Sequence, residues 1–190
     1  MSPEFIAQYH PMLVHFPIAL LFAYTFFELL SVVLKKDWIT NSALILLAIG
    51  VLSSLAALIT GNQAGEVAEK WESMDAVIPM KHLSAHENWA TIVVLFFSGL
   101  LVLRVIYLIA VQIRKKYPAL MYPARYVFVL LAVVGCFLIY KTGEEGGYLV
   151  YKAGVGTDLL KPAELKQSVV PVDSSVNVIH EHENKESGEE

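Results

Sequence analysis

Four histidines at the ends of two apolar segments are the residues of this sequence whose type and spacing could do chemistry. His10 and His15 begin the first long apolar run, in HPMLVHFPIALL, and His82 and His86 precede the third, in KHLSAHENWA. Neutral imidazoles are ligands for zinc, copper and iron ions, and histidines at membrane depth mark functional sites. The pattern therefore predicts a histidine site that holds either a metal ion or the iron of a haem.

The rest of the sequence excludes several other kinds of chemistry. Cys136 is the single cysteine, so the chain has no intrachain disulfide, no CxxCH motif for haem attachment and no iron–sulfur cluster held by several cysteines. The stretch HENWA lacks the second histidine of the zinc-protease motif. No nucleophile or catalytic carboxylate pair stands out, so we expect an electron-transfer subunit at most, without a catalytic activity of its own.

Composition indicates that these histidines belong to a membrane protein. Of the 190 residues, 56% are hydrophobic and 17% are charged, whereas about a quarter of the residues in a soluble domain are charged. Four apolar runs are long enough for a helix to cross a bilayer, which takes roughly 20 residues, and they cover residues 12–34, 42–60, 89–113 and 124–140. We predict an all-α fold, an integral membrane four-helix bundle in residues 1–160, followed by a disordered polar C-terminal tail in residues 161–190.

The basic residues predict how this bundle is oriented. They concentrate in the connections between the first two and the last two helices, as Lys35, Lys36, Arg114, Lys115, Lys116 and Arg125. The positive-inside rule therefore places both termini, and the histidines, on the outer side of a bacterial inner membrane. We expect the first run to stay uncleaved, because no basic residue precedes it and no small-residue cleavage site follows it.

A loose internal repeat predicts how the two histidine pairs meet. Each half reads as a histidine pair, a helix, a basic connection, a second helix and a Thr-Gly pair, at residues 60–61 and 142–143. Because each half has two helices, the halves run parallel and are related by an axis along the membrane normal. Such an axis would bring the two histidine pairs face to face.

Depth along the helices predicts which histidines bind the ligand. The second member of each pair lies deeper, so we predict that His15 and His86 bind the metal or haem iron, while His10 and His82 hydrogen-bond propionates or water above them. Ligands from different helices could occupy opposite faces of one porphyrin. We further predict that the Gly146–Gly147 dipeptide turns within a hairpin or short reentrant cap that closes over the same site.

Two charged residues lie inside the apolar runs. Glu28 and Arg104 are both far along their helices from the histidines. The first interpretation is that the Arg104 side chain snorkels to the interface. The alternative is an intramembrane ion pair between Arg104 and Glu28.

The motifs HPMLVHFPIALL and GGYLVYKAGVG, with the Thr-Gly pair and the third-helix histidine, resemble the bacterial membrane family catalogued as domain of unknown function 2231. The resemblance covers roughly residues 8–158. It implies a likeness to four-helix, two-haem cytochrome b-like membrane proteins, with haem b as cofactor and His10, His15 and His86, together with His82, as candidate ligands. Those proteins hold haems near both membrane faces, whereas this chain has no histidine on the inner side, so the resemblance implies the outer haem alone.

The sequence therefore predicts a b-type cytochrome-like protein that transfers electrons between a membrane donor and a periplasmic acceptor. One alternative is a membrane protein that binds a single Zn, Cu or Fe ion through the same imidazoles. Another is a structural or transport subunit whose histidines form only hydrogen bonds. The expected partners are the lipid bilayer and a redox protein, and nucleic acid is not expected. Whether the chain forms a homo-oligomer is left open.

Overall fold

The computed structural model describes residues 3–113 and 122–157, and the regular elements in these two ranges are all helices. They are α1 (Pro3–Ala7), α2 (His10–Leu13), α3 (His15–Leu34), α4 (Asp37–Glu72), α5 (Met80–Ile113) and α6 (Tyr122–Tyr151). Four stretches are long and apolar enough to cross a membrane: Glu4–Leu34, Asp37–Glu72, Met80–Val111 and Ala124–Tyr151. The prediction of an all-α membrane protein with four spanning helices is thus confirmed. The predicted tail and the basic residues at positions 114–116 lie outside the described residues.

Two prolines divide the N-terminal helical segment into three pieces. α1 ends at Ala7 and α2 ends at Leu13, and each of these residues lies four positions before a proline, Pro11 or Pro17. A proline has no N–H for the carbonyl four residues earlier, and its ring clashes with that carbonyl. The helical path is therefore interrupted just before His10 and again just before His15.

The helices α4 and α6 continue well past their apolar runs. α4 extends beyond Thr60 to Glu72, a further 12 residues or about 18 Å of helix. α6 extends to Tyr151, so the predicted turn at Gly146–Gly147 is wrong, because both glycines lie inside the helix. The chain turns only after α6, where Gly154 has a φ of 69°.

A separate small core holds these extensions together. Its buried members come from α4, from the segment before α5, and from α5 and α6, and they are Ala68, Ile78, Leu83 and Leu149. Apolar packing outside the membrane-spanning part of the bundle explains why the helices do not end where their long apolar runs end.

The four long helices form a ring in which each packs on its two neighbours. α3 contacts α4, α4 contacts α5, α5 contacts α6, and α6 closes the ring on α3. α3 and α5 therefore lie diagonally across the bundle, and their side chains meet at its centre, where the rings of Tyr24 and Phe97 are 6.4 Å apart between centroids. Gly135 in α6 allows this, since a Cβ there would collide with the Phe97 ring.

The diagonal contacts continue toward what we call the arginine end of the bundle, the end that contains Arg104 and Arg125. Arg104 Nη1 lies 3.0 Å from Glu28 Oε1, and the two side chains are 1% and 0% exposed. The Arg104 guanidinium carbon also lies 4.6 Å from the centre of the Phe128 ring. The snorkelling interpretation is therefore wrong and the intramembrane ion pair is confirmed. A neighbouring carboxylate and an aromatic face take the place that water would occupy at the interface.

Candidate histidine site

The opposite end of the bundle, which we call the histidine end, holds His10 against helix α4. The Nδ1 atom of His10 lies 3.1 Å from Thr60 Oγ1. The Thr60 hydroxyl lies 3.0 Å from the carbonyl oxygen of Ala57 and 3.2 Å from that of Ala56, and a carbonyl can only accept. The hydroxyl hydrogen is thus used, so its oxygen accepts the hydrogen bond from His10 Nδ1–H. The other ring nitrogen, Nε2, is left with a lone pair.

His86 is held in an equivalent way by helix α6. Its Nδ1 atom lies 2.9 Å from the backbone carbonyl oxygen of Thr142. Since the carbonyl must accept, Nδ1 carries the hydrogen and Nε2 carries the lone pair. Among the described residues, the side-chain hydrogen bonds of both rings involve Nδ1 and not Nε2, and the Ala57 backbone also acts on the His10 ring. Both rings are therefore in the tautomer that a histidine adopts when it binds a metal through Nε2.

The two imidazoles both lie at the histidine end of the bundle, on segments that belong to its two diagonal helices. His10 belongs to the segment that leads into α3, and His86 belongs to α5. The charge of His86 acts on the His10 ring, and both side chains are half-buried. That the two histidine pairs meet face to face across the bundle stays a prediction.

A glycine lies against each ring. A Cβ atom at Gly61 would lie 3.0 Å from Cε1 of His10, and one at Gly146 would lie 2.9 Å from Cε1 of His86. Both distances are shorter than ordinary van der Waals contact, so any larger residue would displace the ring. A Cβ at Gly147 would meet nothing within 4 Å. Of the two glycines that were predicted to border the site, Gly146 contacts a histidine and Gly147 does not.

The remaining two histidines lie apart from this pair. His15 is exposed and has no hydrogen-bond partner in the described parts of the chain. His10, five residues earlier, is half-buried against α4, so the two rings do not face the same surroundings. The structure does not bring His15 to His86, and binding of a ligand by His15 stays a prediction.

His82 lies one helical turn before His86 and, like His86, contacts α6. Its Nδ1 atom is 2.8 Å from Glu145 Oε2. Its ring stacks on Tyr148, with 3.8 Å between centroids and an interplanar angle of 22°. These contacts fix the ring in the extension of the bundle beyond the His10–His86 pair.

The donor set suits some ligands better than others. Within residues 3–113 and 122–157, no three His, Cys, Asp or Glu side chains converge as a metal site. Structural zinc sites use four protein ligands and catalytic ones use three, so two imidazoles alone do not fit them. Two imidazoles do fit a haem, because the porphyrin supplies four nitrogens and leaves two axial positions. The Nε2 pair therefore passes the chemical test for axial ligands.

The acceptors of the Nδ1–H groups were not predicted from the sequence. The Thr-Gly pairs were noted as part of the internal repeat, but not as the residues that orient the rings. A signal was present, because Thr60 and Thr142 each follow a long apolar run that pairs with a histidine segment. Glu145, the partner of His82, carried no such signal.

The family model described as "Predicted membrane protein (DUF2231)" matches residues 8–159 of this chain. That range contains both histidine pairs, their acceptors and the Glu28–Arg104 ion pair. No curated protein matches the chain, and no solved structure matches it.

Proposed function

The chain belongs to the DUF2231 family of predicted membrane proteins, and from this premise we propose that it is a b-type haem protein that transfers electrons, with His10 and His86 as the residues that would hold the haem. The observation that carries the proposal is the pair of Nε2 atoms. Each ring donates its Nδ1–H to an oxygen, at 3.1 Å for His10 and 2.9 Å for His86. The hydrogen bond at Nδ1 fixes the orientation of each ring and raises the basicity of its Nε2 atom.

The depth of the pair also supports a haem. Trp38 is 58% exposed at the arginine end, as expected of a tryptophan at the membrane interface. Thr60 follows it by 22 residues of continuous α4, or about 33 Å, which is close to the roughly 30 Å thickness of the hydrocarbon core. The histidines therefore lie near the opposite interface. A haem is largely apolar and carries two charged propionates, so this depth suits it.

A bound haem would supply one-electron exchange, and the chain's own residues would hold it. Thr60 and Thr142 would orient the imidazole rings of His10 and His86. His82, which Glu145 fixes in place, would be available to hydrogen-bond the haem propionates or water at the outer edge of the histidine site. The donor would be a component of a bacterial inner membrane and the acceptor a protein on the outer side, with both termini on that side. We propose no independent catalytic activity.

The spectrum of the purified protein tests the proposal. We expect a reduced-minus-oxidised visible spectrum of a low-spin b-type haem, with one haem per chain. His10→Ala and His86→Ala should each lose the haem, because each removes one of the two residues that would hold it. His15→Ala is the matched control, since it removes a histidine of the same segment that faces away, and it should keep the haem.

Other outcomes select the alternatives. If the His10→Ala variant retains the haem and the His15→Ala variant loses it, then His15 and not His10 is the ligand. A haem-free protein that contains stoichiometric zinc, copper or iron would contradict the haem proposal and support the metal-ion alternative. A correctly inserted protein with neither would leave the histidines a hydrogen-bonding role in a structural or transport subunit.

A further inference from the structure

A cavity lies at the arginine end of the bundle, far from the histidines. Its volume is about 310 Å³, and it is bordered by the beginning of α4, the end of α5 and the beginning of α6. Small-molecule sites in proteins begin at about this size. The polar residues that line it are Asp37, Thr40, Asn41, Arg104, Tyr107 and Arg125.

Two of the lining side chains have polar atoms whose hydrogen-bonding capacity is unused. Arg104 is 1% exposed, and its Nε atom has no hydrogen-bond partner among the residues that the structure describes. Its Nη1 atom is paired with Glu28 at 3.0 Å. The Oγ1 atom of Thr40 is also buried, and within residues 3–113 and 122–157 it has no hydrogen-bond partner. Buried donors without acceptors are unfavourable, so a ligand with acceptor oxygens would satisfy these atoms.

The charges around the cavity define the ligand further. Arg104 and Arg125 both act electrostatically on Glu28, so two cations share one buried carboxylate and one positive charge is left over. Asp37 adds an exposed carboxylate to the lining, in the first turn of α4. The cavity thus presents a positive interior and a negative rim. A ligand that carries one negative and one positive group would match both.

The depth of the cavity identifies the source of the ligand. Trp38 and Tyr126 are 58% and 63% exposed, and they directly follow Asp37 and Arg125 in the sequence. Exposed tryptophan and tyrosine lie at the headgroup level of a bilayer. The cavity is therefore at the depth where lipid phosphates are found, and basic pockets between spanning helices bind such headgroups.

We propose that this cavity binds the phosphoethanolamine headgroup of a membrane phospholipid. The phosphate oxygens accept hydrogen bonds from Arg104, Arg125 and Thr40, and the ammonium group pairs with Asp37. Guanidinium groups suit phosphate because their N–H groups match its oxygens in pairs. The binding is independent of any ligand at the histidine end.

Native mass spectrometry of the delipidated full-length protein tests this, with titrations of phosphatidylethanolamine, phosphatidylglycerol and inorganic phosphate. We expect one phosphatidylethanolamine per chain, bound more tightly than phosphatidylglycerol. Arg125→Gln should weaken binding of both lipids about tenfold or more, since it removes a charged donor. Asp37→Asn should weaken binding of phosphatidylethanolamine alone. The matched control is Lys36→Gln, which removes an exposed cation at the same end but outside the cavity.

Three outcomes would overturn the proposal. An equal loss in Lys36→Gln would mean that surface charge attracts the lipid. Tighter binding of phosphatidylglycerol by the wild type would mean that Asp37 does not select an ammonium group. Displacement of the lipid by inorganic phosphate at comparable concentration would make a free anion the ligand. The Asp37→Asn comparison decides the matter even where Arg125→Gln does not fold, because Asp37 is exposed.

Discussion

At the scale of single residues, Thr60 and Thr142 each accept a hydrogen bond from a histidine, but they use different atoms. Thr60 accepts from His10 through its side-chain oxygen, whereas Thr142 accepts from His86 through its backbone carbonyl. Thr60→Val should therefore weaken haem retention by about 10–100-fold, the usual effect of losing a partner of a metal ligand. Thr142→Val keeps its carbonyl and serves as the matched control. The measurement is the haem content after titration with apomyoglobin as competing acceptor, and equal behaviour of the two variants would contradict the assigned hydrogen bonds.

The choice between His10 and His15 shows what the sequence could and could not predict. Depth alone favoured His15, because it lies further inside the apolar run. The spacing to the buried charges favours His10 instead. His86 precedes Arg104 by 18 residues of the continuous helix α5, which is five full turns, so the two side chains share a face. His10 precedes Glu28 by the same 18 residues, with the helix interrupted between them. His15 precedes Glu28 by 13 residues and falls on the other side.

At the scale of helices, the Glu28–Arg104 pair joins α3 to α5 across the bundle. Arg104→Met alone should lower the free energy of unfolding by about 3–5 kcal/mol, because it leaves a buried carboxylate without its partner. The double variant Glu28→Leu/Arg104→Met should recover most of this loss. Thermal unfolding in detergent measures the effect.

The exposed Lys70–Glu4 pair supplies the control for this prediction. Its atoms are 2.9 Å apart, but the side chains are 57% and 52% exposed, so Lys70→Met should change stability by less than about 1 kcal/mol. A double variant at Glu28 and Arg104 that is no more stable than the Arg104 single variant would contradict the coupling.

The lengths of α4 and α6 were underestimated because a run of apolar residues indicates the part of a helix that lies inside the bilayer, and a helix can continue beyond that part. The segment GNQAGEVAEKWE is polar, yet its Ala, Glu, Gln and Lys residues favour helix. The glycines of this segment and of KTGEEGGY resemble helix breakers in the sequence. In the structure Gly61, Gly65 and Gly146 instead admit His10, Glu87 and His86 against the helix backbone, a reason that depends on neighbours distant in sequence.

At the scale of the whole molecule, the orientation in the membrane decides which side the histidines face. The charge distribution predicts that a reporter fused after Glu190 is active outside, whereas one inserted between Lys35 and Lys36 is active inside. Paired fusions of alkaline phosphatase and a green fluorescent protein measure this directly. The reverse pattern would move the proposed electron acceptor to the inner side and the lipid-binding cavity to the outer leaflet.

The proline interruptions give the two sides of the histidine site unequal local stability. His86 stands in the 34-residue helix α5, whereas His10 stands in the four-residue helix α2, which buries no residue. Segments of this kind open at low free-energy cost while the rest of a fold stays intact. α1 and α2 can thus open without separating α3 from α4. A ligand that joins His10 to His86 binds only the closed form, so its binding free energy stabilises the closed state. The degree of order in residues 3–14 therefore reports the fraction of protein that carries the ligand.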